Sequence, residues 1–459
     1  MSRLVVLATL LALALPQGLH AVWGEVDPGF GANGWLQMSW SGVFGPVPTA
    51  LNTDTQDRVI TAVDTGSSTV KFLRTFDNGA VDTSFGFLGG VSITVPGASD
   101  ARIVRLLPSV GDRLIAIGDA ELTDGHWIVV FLLQEDGSLV EEEFGVDGFV
   151  FTRGGLTNVE AFAADAEVNG GGELLEIVGW ADHAIFGVEL GLRVILDLDA
   201  GGELESTTTS SIPTSSERWL RIAGAGTGAP CHSILAERDG TVRLFGYTTG
   251  LSPVCGTPAF SLPLSLPAAP AATLRAASLA VAPGGDHVAA LWVESGLLTK
   301  PTAFFRTAGK SAALRPTWGN NGIAYVDTAS PGWIGYRSSR LVIDWWTGDV
   351  FSIGEDLGTG GLFGTVHRVR ATRLAGANGA LDPTVPVTGV TSPETNRHHQ
   401  VRDVAFLVGS ARPVAAVSSH LTDGFDVPKA WLVAFQSGGN LLSDGFESGS
   451  IESWNSATP

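Results

Sequence analysis

The chain has 459 residues and a formal charge of −20, from 47 acidic against 27 basic side chains, with no Lys or Arg run to offset it; an acidic surface of this kind repels phosphate backbones and argues against a nucleic-acid partner. Apolar residues make up 44% and charged residues only 16%, with 59 glycines, which is the composition of an ordered, turn-rich β protein. Length does not set a domain count here, because repeat architectures grow by adding units.

The first 21 residues read as a secretory signal peptide. Arg3 is followed by apolar residues from Leu4 to Leu15, then Pro16 and Gly18 before Ala21, the order of a charged region, a short apolar core and a cleavage site. The mature chain is expected to begin near Val22, with Leu19 large for the position it takes before the cut. No Cys follows the apolar core, which argues against a lipid anchor, and no later stretch has the length of a membrane span. A secreted, periplasmic or cell-surface product is expected.

Next comes "FGANG" from Phe30, and the same pattern of aromatic, Gly, two variable residues and Gly returns as "FGFLG" from Phe85, "FGVDG" from Phe144 and "WGNNG" from Trp318. The intervals are 55, 59 and 174 residues; the last is about three repeat lengths, so a period near 60 follows. Hydrophobic strands with tight turns precede the copies, as in "KFLRTFDNGAV" and "VVFLLQEDGSL", where Asn-Gly and Asp-Gly supply the positive φ of hairpins. A second marker, a short apolar strand after a polar turn, aligns on Val59, Leu114, Leu174, Val242, Val288, Val350 and Val414. Both markers count seven units.

Each unit reads as four strands, for example "ARIVRLLPS", "RLIAIGDA", "WIVVFLLQ" and "GFVFTRG". The fold class is therefore all-β, a seven-bladed β-propeller of four-stranded antiparallel blades spanning residues 22–440. The chain begins, at "GWLQMSW", with the last strand of a unit and ends with the first three of another. The N-terminal strand is thus expected to complete the last blade, residues 35–40 pairing near residues 430–436. The aromatics of the repeat are expected to pack between adjacent blades, the glycines letting the backbone turn into the outer strand. A phosphate cradle is excluded, since no Lys-Ser/Thr follows and no helix starts there.

Only two cysteines occur, Cys231 and Cys255. In an oxidising compartment a disulfide is expected, closing a loop worth roughly 3 kcal/mol in the chain-entropy picture. Two free buried thiols are the other reading. A zinc site would need three or four ligands, and only His232 is adjacent, so no metal and no cofactor is called for. Two further stretches are binding candidates. "DWWTGD" sets Trp345 and Trp346 beside two carboxylates, as a sugar platform would, and "RHHQ" places His398 and His399 on a loop leading into blade seven, with a solvated loop as the plainer reading. No catalytic set can be read from residue order.

The unit "FLRTFDNGAVDTSFGFLG" at residues 72–89 resembles the delta-60 repeat of exported bacterial proteins, a family associated with propeller-like folds. The match is good in the copies that end at Phe85, Phe144 and Trp318, partial in the third and sixth copies, and poor between about residues 205 and 275. The resemblance implies architecture and export; the family shares no activity or catalytic residues. The tail at residues 441–459, with "SDGFESGSIESW", is similar to a terminal motif of exported gram-negative proteins, a sorting tag or else a loose acidic end. A binding or structural role toward a protein or glycan is the expected function. The alternative is an extracellular hydrolase or lyase at the mouth of the central channel, which buried, pKa-shifted carboxylates or histidines there would favour.

Overall fold

The computed structural model describes residues 25–436 except for 40–45, 110, 169–173, 185–186, 211–215, 224–231, 239–240, 247–259, 268, 283–284, 296–299, 310, 328–332, 344–346, 360–364, 384, 386–396, 408–411 and 422–427. The stretch read above as a signal peptide, the residues after 436, Cys231, Cys255, Trp345 and Trp346 fall outside these residues. Among the described residues there is no helix, and every strand belongs to one of seven antiparallel sheets arranged as a seven-bladed β-propeller.

The chain enters with β1 (Trp35–Met38). Blade one is then β2 (Val47–Thr53), β3 (Val59–Asp64), β4 (Thr69–Thr75) and β5 (Gly90–Thr94); blade two is β6 (Asp100–Pro108), β7 (Leu114–Leu122), β8 (Gly125–Leu133) and β9 (Phe149–Thr152). Blade three is β10 (Val159–Val168), β11 (Leu174–His183), β12 (Val188–Asp197) and β13 (Glu203–Thr209); blade four is β14 (Glu217–Ala223), β15 (Ser233–Arg238), β16 (Thr241–Gly246) and β17 (Phe260–Leu264). Blade five is β18 (Thr273–Val281), β19 (His287–Ser295), β20 (Thr302–Arg306) and β21 (Ile323–Val326). Blade six shows β22 (Trp333–Ile343), β23 (Val350–Thr359) and β24 (Thr365–Leu374), and the chain that would supply its outer strand lies beyond the described residues. Blade seven is β25 (Arg397–Phe406), β26 (Pro413–Leu421) and β27 (Lys429–Ala434), completed on the outside by β1.

The ring closes as the sequence leads one to expect. Trp35 pairs with Val433 and Met38 with Ala430, antiparallel. Trp35 is buried, its ring 6.0 Å from that of Trp431 in an edge-on arrangement. One alignment point moves. Val242 lies in β16, the third strand of its blade, and the second strand is β15, about one repeat length after Leu174. A polar turn before a short apolar strand marks either hairpin of a blade, and in blade four Val242 follows the second. The two histidines of "RHHQ" stand on β25 and not on a loop, His399 opposite Ser419 in register.

The repeat motif is a joint between blades. Phe30, Phe85, Phe144 and Trp318 are all buried. Each sits against the hairpin glycine of the following blade: a Cβ built on Gly137 would lie 2.9 Å from the Phe85 ring, one on Gly202 2.8 Å from Phe144, and one on Gly379 2.9 Å from Trp318. The glycine after each aromatic then donates its N–H to the same hairpin, Gly31 to the Asn78 carbonyl, Gly86 to Asp136, Gly145 to Gly201 and Gly319 to Asn378, at 2.7–2.8 Å. Hairpin and motif recur together because each needs the other. Burying one such ring is worth about 1.5–3 kcal/mol, and the joint adds a hydrogen bond of about 1 kcal/mol. Arg74 completes the contact between blades one and two, its guanidinium 4.7 Å above the Phe85 ring, paired with Asp82 at 2.7 Å.

Candidate functional site

The first strands β2, β6, β10, β14, β18, β22 and β25 touch one another in succession and form the innermost layer around the axis. Every one of them carries a bulge at the same level. The unpaired residues are Thr49, Val104, Ala164, Leu220, Ala277, Ser339 and Arg402. A bulge bends a strand and re-aims the side chain that follows it, and here the next residue in each blade is turned toward the neighbouring blade or the axis. These seven are Ala50, Arg105, Asp165, Arg221, Ser278, Arg340 and Asp403.

Most of this ring is structural. Asp165 accepts the N–H of Ile222 in the next blade at 3.3 Å, Ser278 that of Leu341 at 3.0 Å, and Asp403 that of Leu51 at 2.9 Å. These backbone donors are freed by the bulge one blade on, so the side chains satisfy groups that would otherwise be buried unpaired. Where the position is Arg, the polarity reverses. Arg105 donates to the Ala166 carbonyl at 3.4 Å and pairs with Asp165 at 3.3 Å, and Arg221 donates to the Ala277 carbonyl at 2.7 Å. Ala50 has nothing to offer.

Arg340 breaks the pattern: it makes no hydrogen bond and no ion pair with any described residue. Glu167, two residues beyond Asp165 on β10, is likewise without a partner among the described residues. Both keep some accessible surface, and both stand on the innermost strands, beside the axis. Burial pushes the Glu167 carboxyl above its usual range, against the pull of His232, Arg105 and Arg340, with Asp165 adding to the rise. For Arg340, burial and then Arg105 lower the pKa, opposed by Asp403, Asp165 and Glu167. The two groups therefore feel each other across the channel.

A second charged cluster lies between blades three and four. Glu176 takes Arg193 at 2.6 Å on one oxygen and His232 Nδ1 at 2.7 Å on the other, and Arg193 also donates to the His232 carbonyl at 2.8 Å. Burial alone would lower the His232 pKa, but the Glu176 carboxylate outweighs it and the net shift is upward. All three side chains are buried and paired with one another, so they hold two blades together. Ser233 and His287 approach to 2.7 Å, with Thr307 on the other ring nitrogen at 3.2 Å. Both are buried.

Of the sequence candidates, His399 is buried against Trp35, 5.5 Å between rings, and faces no opening; the side chain of His398, like Trp345, Trp346, Cys231 and Cys255, lies outside the described residues. The tryptophans that are described offer no open sugar platform. Arg153 covers Trp127 at 4.0 Å, Phe162 and Arg218 sandwich Trp180 at 5.3 and 4.7 Å, and Arg337 and Lys300 flank Trp292 at 5.6 and 5.7 Å. Among the described residues no group of three His, Cys, Asp or Glu is placed to hold a metal ion, and no helix is long and apolar enough to cross a membrane. A shallow groove between blades one and two, walled by Lys71, Phe87, Val91 and Asp136, is remote from the axial pair and belongs to the joint around Phe85.

No family profile matches the chain. No curated protein matches it either. Among solved structures it is similar to a polysaccharide lyase, at 11% identity over 91% of this chain and 98% of that one, with a TM-score of 0.49. It is also similar to the β-propeller domain of the Trilobed protease from Pyrococcus furiosus (10% identity, 89% and 100% covered, TM-score 0.40) and to the NanB sialidase of Streptococcus pneumoniae (8%, 87% and 70%, 0.40). Identities this low carry no activity across.

Proposed function

We propose that this chain is an exported propeller of the delta-60 repeat kind that binds a protein or glycan ligand at its axis without transforming it. The observation that supports this is the pair Arg340 and Glu167. Asp165, Ser278, Asp403, Arg105 and Arg221 each bond to a neighbouring blade, whereas these two have no hydrogen-bond or ion-pair partner among the described residues. An enclosed, unpaired guanidinium costs stability, and such a cost is retained where a ligand repays it.

The test is binding of the mature protein to a panel of immobilised polysaccharides and secreted proteins, beside Arg340→Met. A ligand retained by the wild type and released by a folded Arg340→Met variant supports the reading. Equal retention by both overturns it.

A hydrolase or lyase is the second reading, and one observation favours it. Glu167 has the raised pKa of a general acid. Asp165, the nearest carboxylate in sequence, is occupied by Arg105 and by the Ile222 N–H, and so does not stand ready as base or nucleophile. If the bound ligand is cleaved, and Glu167→Gln stops cleavage while binding survives, the enzyme reading replaces the first.

A further inference from the structure

We infer that Arg340 and Glu167 together form a receptor for a carboxylate group, so that the ligand entering the axis presents a monoanionic carboxylate to blades three and six. This rests on the reading of the axis as the ligand site and gives that ligand its chemistry.

Donors and acceptors beside the axis do not balance. The acceptors there are spent: Asp165 on Ile222 and Arg105, Ser278 on Leu341, Asp403 on Leu51. What remains open is a guanidinium with five N–H donors and no acceptor, and a carboxyl whose buried setting favours the protonated form, which adds an O–H donor. A group that only accepts is the complement. A cation would meet Arg340 and Arg105, and a neutral hydroxyl would leave the guanidinium without an ion-pair partner among the described residues. Among anions, the planar fork of Arg matches a carboxylate through two parallel bonds. Asp165 and Asp403, both within electrostatic range of Arg340, oppose a second negative charge, which favours a carboxylate over phosphate or sulfate.

The groups facing Glu167 fix the pH dependence. Arg105, Arg340 and His232 favour its ionised form, and burial and Asp165 favour the neutral one. Since its pKa is raised, the O–H donor is present at low pH and is lost as pH rises through the folded value. Carboxylate affinity therefore falls with rising pH.

The experiment measures binding of acetate to the mature protein by NMR along a rising pH series, with acetamide as the neutral isostere and sulfate as the doubly charged anion. The expected result is saturable acetate binding, weaker as pH rises, with acetamide and sulfate failing to compete. Arg340→Met should lose about tenfold or more, the scale of a charge-assisted hydrogen bond. Glu167→Gln keeps an N–H donor and should bind with its pH dependence gone. Both variants are checked for cooperative unfolding first. Failure of acetate to bind the folded wild type, equal binding of acetamide, or unchanged affinity in Arg340→Met overturns the inference. If Arg340→Met releases the macromolecular ligand while acetate is ignored, the carboxylate assignment alone falls; if it changes neither, the axial reading falls with it.

Discussion

The Phe85 ring rests on the backbone of Gly137, so close that a methyl group on that glycine would lie 2.9 Å from the ring and 2.4 Å from the Val91 side chain. Blade one thereby reads blade two through a residue that has no side chain. Gly137 also takes φ +86, which L side chains rarely adopt. Gly137→Ala should destabilise by about 2 kcal/mol or more, from overpacking and backbone strain together. Phe85→Ala should cost about 3–5 kcal/mol. Because the residues touch, the double variant should lose less than the two single losses combined. Denaturant unfolding of the three proteins checks it, and strict additivity would mean that the ring and the glycine are independent.

Leu88 holds the third position after Phe85, at φ +55, with 69% of its surface exposed. In the other copies that position is Asn33, Asp147 and Asn321, at φ +51 to +54. Asn and Asp tolerate the left-handed region better than Leu does, and the leucine gains nothing from burial. Leu88→Asn should raise stability by about 0.5–1 kcal/mol, read as an upward shift in Tm.

Closure rests on β1. Trp35→Ala removes a ring held between His399 and Trp431 and should cost about 3–5 kcal/mol. The effect should appear first as faster hydrogen exchange in β27, whose outer edge β1 covers.

His232 gives a pH-dependent term whose sign can be worked out. Its folded pKa lies above the unfolded value of about 6.5, so the folded state binds its proton more tightly. That stabilisation is complete below the unfolded value and is lost as pH rises through the folded one. The wild type should lose stability across that window, and His232→Gln should show a flatter profile. Parallel profiles for the two proteins would contradict the Glu176 assignment.

The architecture was legible because its joints are chemically marked. Phe or Trp followed by Gly, and Asn-Gly or Asp-Gly in the preceding hairpin, are the two sides of one contact, and both survive in sequence. The misplacement at Val242 shows the limit of a marker that fits either turn of a blade. The axial pair left no such mark. The bulge residues Thr49, Val104, Ala164, Leu220, Ala277, Ser339 and Arg402 share no chemistry, because a bulge is a property of pairing and not of a side chain. Glu167 in "DAEV" and Arg340 in "SSRLV" are single charges on ordinary strands. They meet across the axis only because half the ring stands between them in sequence.

The central claim is that Arg340 and Glu167 are kept for a ligand and not for the fold, and the free energy of unfolding without ligand tests it most directly. A structural charge such as Asp403, which holds the Leu51 N–H, should cost about 1–3 kcal/mol on replacement by Ala. Arg340→Met, which removes a charge with no partner among the described residues, should leave stability unchanged or raise it by about 1 kcal/mol or more. A loss in Arg340→Met as large as that in Asp403→Ala would show that the guanidinium is part of the scaffold, and would contradict the account.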